Sequence, residues 1–291
     1  MHQIVIKNHN INDSLPLGIT FEDQKLIIPN NTVSVDPIKI TIKDDNNESL
    51  EIVVGQSSDV TIILEIASEE LEKNTYDLNL VAKQNSRVKY LLVCDLASKD
   101  AQLHHYFTAE RDSNLDLIGG FVSNVINAKM NAKLIGEGSN VSIRAVAISS
   151  TNNNQTIDIE LVHAAKNSTG MMHNIAIAND NGKVVLNGVE KILKGMKNAN
   201  AYQSLKGIIG SDKAVIEVNP ILLIDEYDVK AGHGATIGKL DQNSVYYLMS
   251  RGLERKEAEK LMINGFLNPI IKEIADETLK ERFVSLVNQR L

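Results

Sequence analysis

The sequence predicts a β-solenoid followed by a small helical unit, and three observations carry that reading. First, from about residue 50 to residue 224 the chain is a succession of short β-prone runs, among them VTIILEI, VKYLLV, VSIRAVAI, TIDIELV and KVVLNGV. They are separated by Asn, Ser, Gly and Asp, and runs such as Thr156-Ile157-Asp158-Ile159-Glu160-Leu161 alternate with the period of two that marks a strand with one buried face. Second, a small polar turn followed by alternating apolar residues recurs in NSRVKYLLV from residue 85, DSNLDLIGG from 112 and GSNVSIRAV from 138. NSTGMMHNIAIA from 167 and KNANAYQSLKGI from 197 keep the rhythm, and a spacing of about 26–30 residues falls within the range of stacked repeats. Third, aromatic residues make up only 4% of the chain and Trp is absent, as suits an interior in which small branched side chains stack in register. A β-sandwich also supplies many short strands; the repeat favours the solenoid.

The elements follow in order. Residues 1–50 hold three strand-like runs, LPLGITFED, KLIIPNNTVSV and IKITIKD, and are expected to form an irregular β-cap that shields one end of the stack. Residues 51–240 form the solenoid. Within it EELEKNTYDL (69–78) reads as a loop with one helical turn, and VEKILKGM (189–196) has helical spacing between flanks that favour strands. Residues 241–291 change character. Asp241 is placed to cap a helix over QNSVYYLMSR, which Gly252 ends in the left-handed position. A second helix, RKEAEKLMINGF, is expected to break at Asn268-Pro269, and Asp276 to cap a third, ETLKERFVSLVNQRL. On that last helix Leu279, Phe283, Leu286 and Val287 share one face.

Bulk properties narrow the function. A net charge of −7 argues against binding nucleic acid or an anionic membrane surface. No apolar run approaches the roughly 20 residues needed to span a bilayer, and the N-terminus lacks the basic and apolar regions of a signal peptide; a single cysteine forms no internal disulfide, so a reducing cytoplasm is expected. Cys94 is the only cysteine. The chain therefore builds no thiolate cage of its own, and Cys94, within YLLVCDL, reads as a buried small hydrophobe. No phosphate-cradling glycine motif is present, so any ATP chemistry belongs to another subunit. A β-solenoid enzyme acting on carbohydrate would call for paired acid and base groups, aromatic platforms and export, which this sequence does not offer.

The most specific stretch is LIDEYDVKAGHGATIGKLDQNSVYYLMSRGLERKEAEKLMINGFLNP, residues 223–269. Through Asp228-Val229-Lys230, His233-Gly234-Ala235-Thr236, Gly238, YYLMSRG and EAEKLMINGFLNP it resembles the C-terminal core of the SufB/SufD family of the Suf iron–sulfur cluster pathway. SLKGIIGSDKAVIEVNPIL (204–222) resembles it more loosely. The resemblance implies a right-handed parallel β-helix with a helical C-terminal domain. It also implies partners: a SufB-like scaffold chain whose β-helix pairs edge to edge with this one, and a SufC-like ATPase on which the helices dock. SufB-type chains carry a cysteine where this chain has Ala214 and a glutamate where it has Gly234, so the wording resembles the SufD branch. Some SufD chains carry a cysteine where this one has Ala231.

His233 is the leading candidate site residue. Gly232 and Gly234 strip side-chain cover from around it, with Gly238 further along, so a partner backbone or a metal can approach. A neutral imidazole is a competent iron ligand. The resemblance implies that His233 supplies one ligand, to iron or to an iron–sulfur cluster shared transiently with a partner, with no cofactor held tightly by this chain alone. The bland reading makes His233 a hydrogen-bonding residue where the solenoid turns into the helices. Tyr246, Tyr247, Leu248, Arg251 and Gly252 are the candidate ATPase-docking residues, and a homodimer using the same edge is the alternative assembly. Other groups read as structural. His104 and His105 point to opposite faces of a strand, His163 and His173 read as surface or corner residues, and Asp225, Glu226 and Asp228 read as a solvated turn.

Overall fold

The computed structural model describes residues 1–7, 9–11, 14–43, 47–69, 72–272, 274 and 277–291. Among them the chain forms nineteen strands and three helices. It opens with β1 (His2–Lys7), β2 (Asn10–Ile11), β3 (Thr20–Glu22), β4 (Lys25–Ile28), β5 (Ile38–Lys43) and β6 (Asn47–Val54). Then come β7 (Asp59–Ser68), β8 (Lys73–Ala82), β9 (Arg87–Leu96), β10 (Asp100–Ala109), β11 (Asn114–Phe121) and β12 (Ile126–Leu134). The series continues with β13 (Asn140–Ser149), β14 (Asn154–His163), β15 (Thr169–Ala178), β16 (Lys183–Ile192) and β17 (Asn200–Ile209). It ends with β18 (Val215–Ile224) and β19 (Lys230–Lys239). The helices are α1 (Gln242–Ser250), α2 (Arg255–Ile271) and α3 (Glu277–Gln289).

From β5 onward the odd-numbered strands stack into one sheet and the even-numbered strands into another, each pairing in parallel with the strand one coil away. The fold is a parallel β-solenoid with two sheets per coil. At the N-terminal end β1 and β4 join the same stacks, and β2 and β3 close them with antiparallel pairs. At the other end β18 and β19 are the last strands of their sheets.

The repeat in the sequence is the corner that leads into each odd strand from β7 to β17. Ser57, Asn85, Asp112, Gly138, Asn167 and Asn198 all have φ between 53° and 72°. This left-handed turn is tolerated best by Gly, Asn and Asp. The next residue is a buried serine in five of these corners, Ser58, Ser86, Ser113, Ser139 and Ser168. The last four donate their hydroxyls to the carbonyl three residues back, closing the turn without leaving a bare polar atom.

The main core lies between the two sheets. It is built from inward residues such as Ile62, Leu92, Leu117 and Ile143 of one sheet and Leu80, Leu103, Ile159 and Leu186 of the other. A second core lies on the outer face of the odd-numbered sheet, where Ile63, Leu91, Val93, Ile118, Val146 and Ile148 meet Val245, Ile263, Leu267, Phe283 and Val287 of the helices. The helices are thus fastened along the flank of the solenoid.

Several local expectations change. Lys73–Leu78 of the segment read as a loop belong to β8, and Val189–Ile192 finish β16 with no helical turn. Helix α2 does not break at Asn268-Pro269; it runs on to Ile271 because Ile270 and Ile271 are buried in the flank core, and that packing outweighs the proline's missing N–H. Asp241 caps α1 as expected, accepting from the amides of Asn243 and Ser244. Asp276 lies outside the described residues, as does the side chain of Leu279; Phe283 and Val287 are buried and Leu286 packs beside them. Cys94 is buried in the main core, where desolvation pushes its thiol pKa far above the usual range.

Candidate functional site at the open end of the solenoid

His233 stands in the fourth position of β19, within the strand itself and not at a turn. In the parallel register it lies on Gln203, and Ala231, Ala235 and Ile237 lie on Ala201, Leu205 and Gly207. Those four residues of β17 are buried and face the interior. His233 therefore occupies a core-facing position, and it is exposed because no further strand covers the end of the stack. The inward residues of β18, among them Val218, Pro220 and Leu222, are half-buried for the same reason.

The glycines around it do not answer to any contact within the chain. A Cβ on Gly234 or Gly238 would meet nothing within 4 Å, and one on Gly232 would touch only the Tyr202 ring at 3.6 Å. None of the three has a positive φ. Their effect is to leave the outer surface of the last strand bare.

The acidic residues between β18 and β19 form a tied-down turn. The carboxylate of Glu226 accepts from the amides of Asp228 (3.3 Å), Gly195 (2.9 Å) and Tyr227 (2.9 Å), and these bonds hold its pKa below the ordinary value. Asp225 and Asp228 are exposed.

The helical candidates divide. Tyr246 and Tyr247 are 74% and 57% exposed, and Arg251 lies over the Tyr247 ring at 5.2 Å. Leu248 is half-buried and packs into the flank core, facing the sheet more than solvent. Gly252 has φ +99° and ends α1 as the sequence indicated. Val245 is the only buried residue of α1, so most of this helix is surface.

The interior beneath His233 holds three polar groups, of which the sequence singles out only His163. Glu190, Gln203 and His163 are all fully buried and face inward. His163 is thus an interior residue and not the surface or corner residue expected, because it shares the inward phase of Ile157, Ile159 and Leu161. Burial pushes the Glu190 carboxyl up to about 8 and the His163 imidazole down to about 4. The signal that would have found Glu190 is its phase: it occupies an apolar-phase position in the alternation Val184, Leu186, Gly188, Glu190, Ile192. His104 and His105 do point to opposite faces; His104 meets Asp77 at 2.9 Å, and His105 is buried against the Tyr90 hydroxyl at 2.6 Å. His173 is exposed beside Tyr202. Among the described residues no three His, Cys, Asp or Glu side chains come together as a metal site, and no helix is long and apolar enough to cross a membrane.

Comparison with known proteins places this architecture in a family. Residues 41–266 match the SufBD core domain of SUF system FeS cluster assembly. The chain is 30% identical over 278 residues to the iron–sulfur cluster assembly protein SufD of Bacillus subtilis, covering 91% of this chain and 63% of that protein. It is 27% identical over 175 residues to SufD of Escherichia coli, covering 60% of this chain and 41% of the other. A SufBD family protein of Mycobacterium bovis, Mb1496, is 26% identical over 208 residues, covering 69% and 24% respectively. The chain thus spans less than two thirds of the length of each of these relatives. It belongs to the SufBD family of iron–sulfur cluster assembly proteins and is SufD-like within it.

Proposed function

We propose that this chain is a non-catalytic arm of an iron–sulfur cluster assembly complex, pairing through its last coil with a SufB-like scaffold chain and docking through its helices on a SufC-like ATPase. The observation that carries the reading is the exposed, core-facing His233 on a strand that ends its sheet. Strand edges left unpaired are templates for another chain. Both sheets end together here, so a sister solenoid can extend the two of them. His233 then lies in the seam, on the line of the shared core, where a partner thiolate supplies what a chain with one buried cysteine cannot. The bare glycines support close approach by the partner backbone. The cluster, or the iron that becomes part of it, is cargo shared across the seam.

The ATPase contact falls on residues 241–291, around Tyr246, Tyr247 and Arg251, with Leu248 behind them and Gly252 setting the turn. Because the helices share a core with the flank of the odd-numbered sheet, ATP-driven movement of the partner shifts the solenoid as a body and opens or closes the seam. The complex works in the cytoplasm, with no role for nucleic acid or membrane.

Co-expression with SufB-like and SufC-like chains tests this function. A ternary complex is expected, and His233→Ala should leave it assembled while lowering cluster delivery to an apo-acceptor by about tenfold or more. Failure of the wild-type chain to co-purify, or full delivery by the variant, counts against the assignment. The same open end also accepts a second copy of this chain about a two-fold axis; that reading requires a symmetric dimer that SufB-like protein does not displace.

A further inference from the structure

Four buried polar atoms beneath the last coil have no hydrogen-bond partner: both carboxylate oxygens of Glu190, Oε1 of Gln203 and Nε2 of His163. Leaving even one such atom bare is unfavourable by about 1–3 kcal/mol, and here four sit in two successive coils. Gly170 faces Leu161 and His163 across the interior, since a Cβ on it would come within 2.6 Å of His163 Nε2 and 3.4 Å of Leu161 Cδ2. Ala201 is the next residue up the ladder from Gly170, and Glu190 the next up from Leu161, so Glu190 faces Ala201. Ala231 continues the column in β19. Small residues thus line the side that Glu190 and His163 face. Gln203 enters from the same sheet as Ala201, its Oε1 against Gly188.

With Glu190 ionised, the unpartnered atoms are all of one kind. Ser168 Oγ donates its single hydrogen to the carbonyl of Ala165 at 2.8 Å, so at the 2.8 Å contact between His163 Nδ1 and that hydroxyl the hydrogen belongs to Nδ1. His163 Nε2 is then a bare lone pair. Gln203 donates its amide hydrogen to the carbonyl of Ile221 at 2.8 Å, which fixes Oε1 as the acceptor left over. Glu190 adds two more acceptors. A cluster made only of acceptors calls for a cation.

We propose that His163, Glu190 and Gln203 form an interior site for a divalent metal ion, one to two coils behind the exposed His233. One imidazole nitrogen, one carboxylate and one amide oxygen make a borderline donor set suited to Fe(II), Mn(II) or Zn(II) and poorly suited to a soft monovalent ion. His233 lies directly over Gln203, so the site opens toward the same end of the solenoid. An ion bound there displaces the proton of the Glu190 carboxyl, so affinity rises with pH. The site needs no partner chain, so its failure leaves the docking proposal standing, and the failure of docking leaves this site standing.

The test is anaerobic titration of the metal-free full chain with Co(II) alone at pH 7.5, followed by its visible ligand-field absorption. One equivalent is expected to bind. Glu190→Gln and His163→Gln are each expected to weaken binding by at least about tenfold, and His104→Ala, on the outer face of the solenoid, to leave it unchanged. Should Glu190→Gln fail to fold, His163→Gln carries the same comparison. The proposal is overturned if the wild-type chain takes up no Co(II), if either substitution binds as tightly as wild type, or if His233→Ala abolishes binding, since the ion then lies at the open end.

Discussion

Phe283 of α3 lies so close over Gly120 of β11 that a Cβ built on the glycine would stand 2.5 Å from the ring's Cε2. The ring fills a notch in the outer face of the sheet that only a residue without a side chain provides. Nearby, Arg282 pairs with Glu65 of β7 and reaches Asp95 of β9 at 3.0 Å. The last helix is therefore keyed to strands more than 150 residues earlier. A force applied to the helices passes into the solenoid through these contacts.

Phe283→Ala should empty that notch and destabilise the chain by about 3–5 kcal/mol. Urea unfolding read by circular dichroism measures the loss. A change below 1 kcal/mol would mean that the helices are fastened elsewhere.

The titration of Glu190 gives the chain a stability that falls as pH rises. Its carboxyl titrates near 8 when folded and near 4.5 when unfolded. The folded state therefore holds the extra proton between those values, and raising the pH through that window removes its advantage. For the metal-free chain the loss from pH 4.5 to 7 attributable to Glu190 is on the order of 3 kcal/mol. His163 works in the opposite direction over a lower range. Kept neutral by burial down to about pH 4, it withdraws stability as pH falls from 6.5 toward 4. Unfolding free energies of wild type and Glu190→Gln, compared from pH 5 to 8, isolate the carboxyl. Wild type should decline relative to the variant as pH rises, and parallel curves would show that Glu190 is ionised in the folded chain.

Tyr246 and Tyr247 separate docking from folding. Because both project from α1 into solvent, Tyr246→Ala with Tyr247→Ala should change stability by no more than about 0.5 kcal/mol. Retention on an immobilised SufC-like ATPase should fall by tenfold or more, as exposed aromatics are the usual anchors of an interface. Retention equal to wild type would move the ATPase contact off this helix.

The solenoid was legible because its corner chemistry repeats. Asn85-Ser86, Asp112-Ser113, Gly138-Ser139 and Asn167-Ser168 each supply the left-handed residue and the buried hydroxyl that the turn requires. Coil length drifts, as from Asn114 to Asn140 and from Thr169 to Asn200, so the repeat is visible as rhythm and not as identity. The flank packing of the helices was written less openly. In VTIILEI, YLLV and AVAI the alternation gives way to unbroken apolar runs, the sign of strands buried on both faces, and the second face is the one the helices cover. Pro269 misled because local propensity stops a helix there, whereas Ile270 and Ile271 are held by the sheet. His233 was found through its motif, but its core-facing phase depends on register with Gln203, which only the stacked strands define. Glu190 was missed although its phase was readable, since acidic residues are far more often on a solvated face.

The central claim is that the last coil is the seam. Amide hydrogen exchange across residues 215–239, measured on the chain alone and with a SufB-like partner, tests it most directly. Protection is expected to rise along Val215–Ile224 and Lys230–Lys239 on adding the partner, with β1 and β5 at the far end unchanged. Unchanged exchange in those two strands, with new protection elsewhere on the solenoid, would contradict the account.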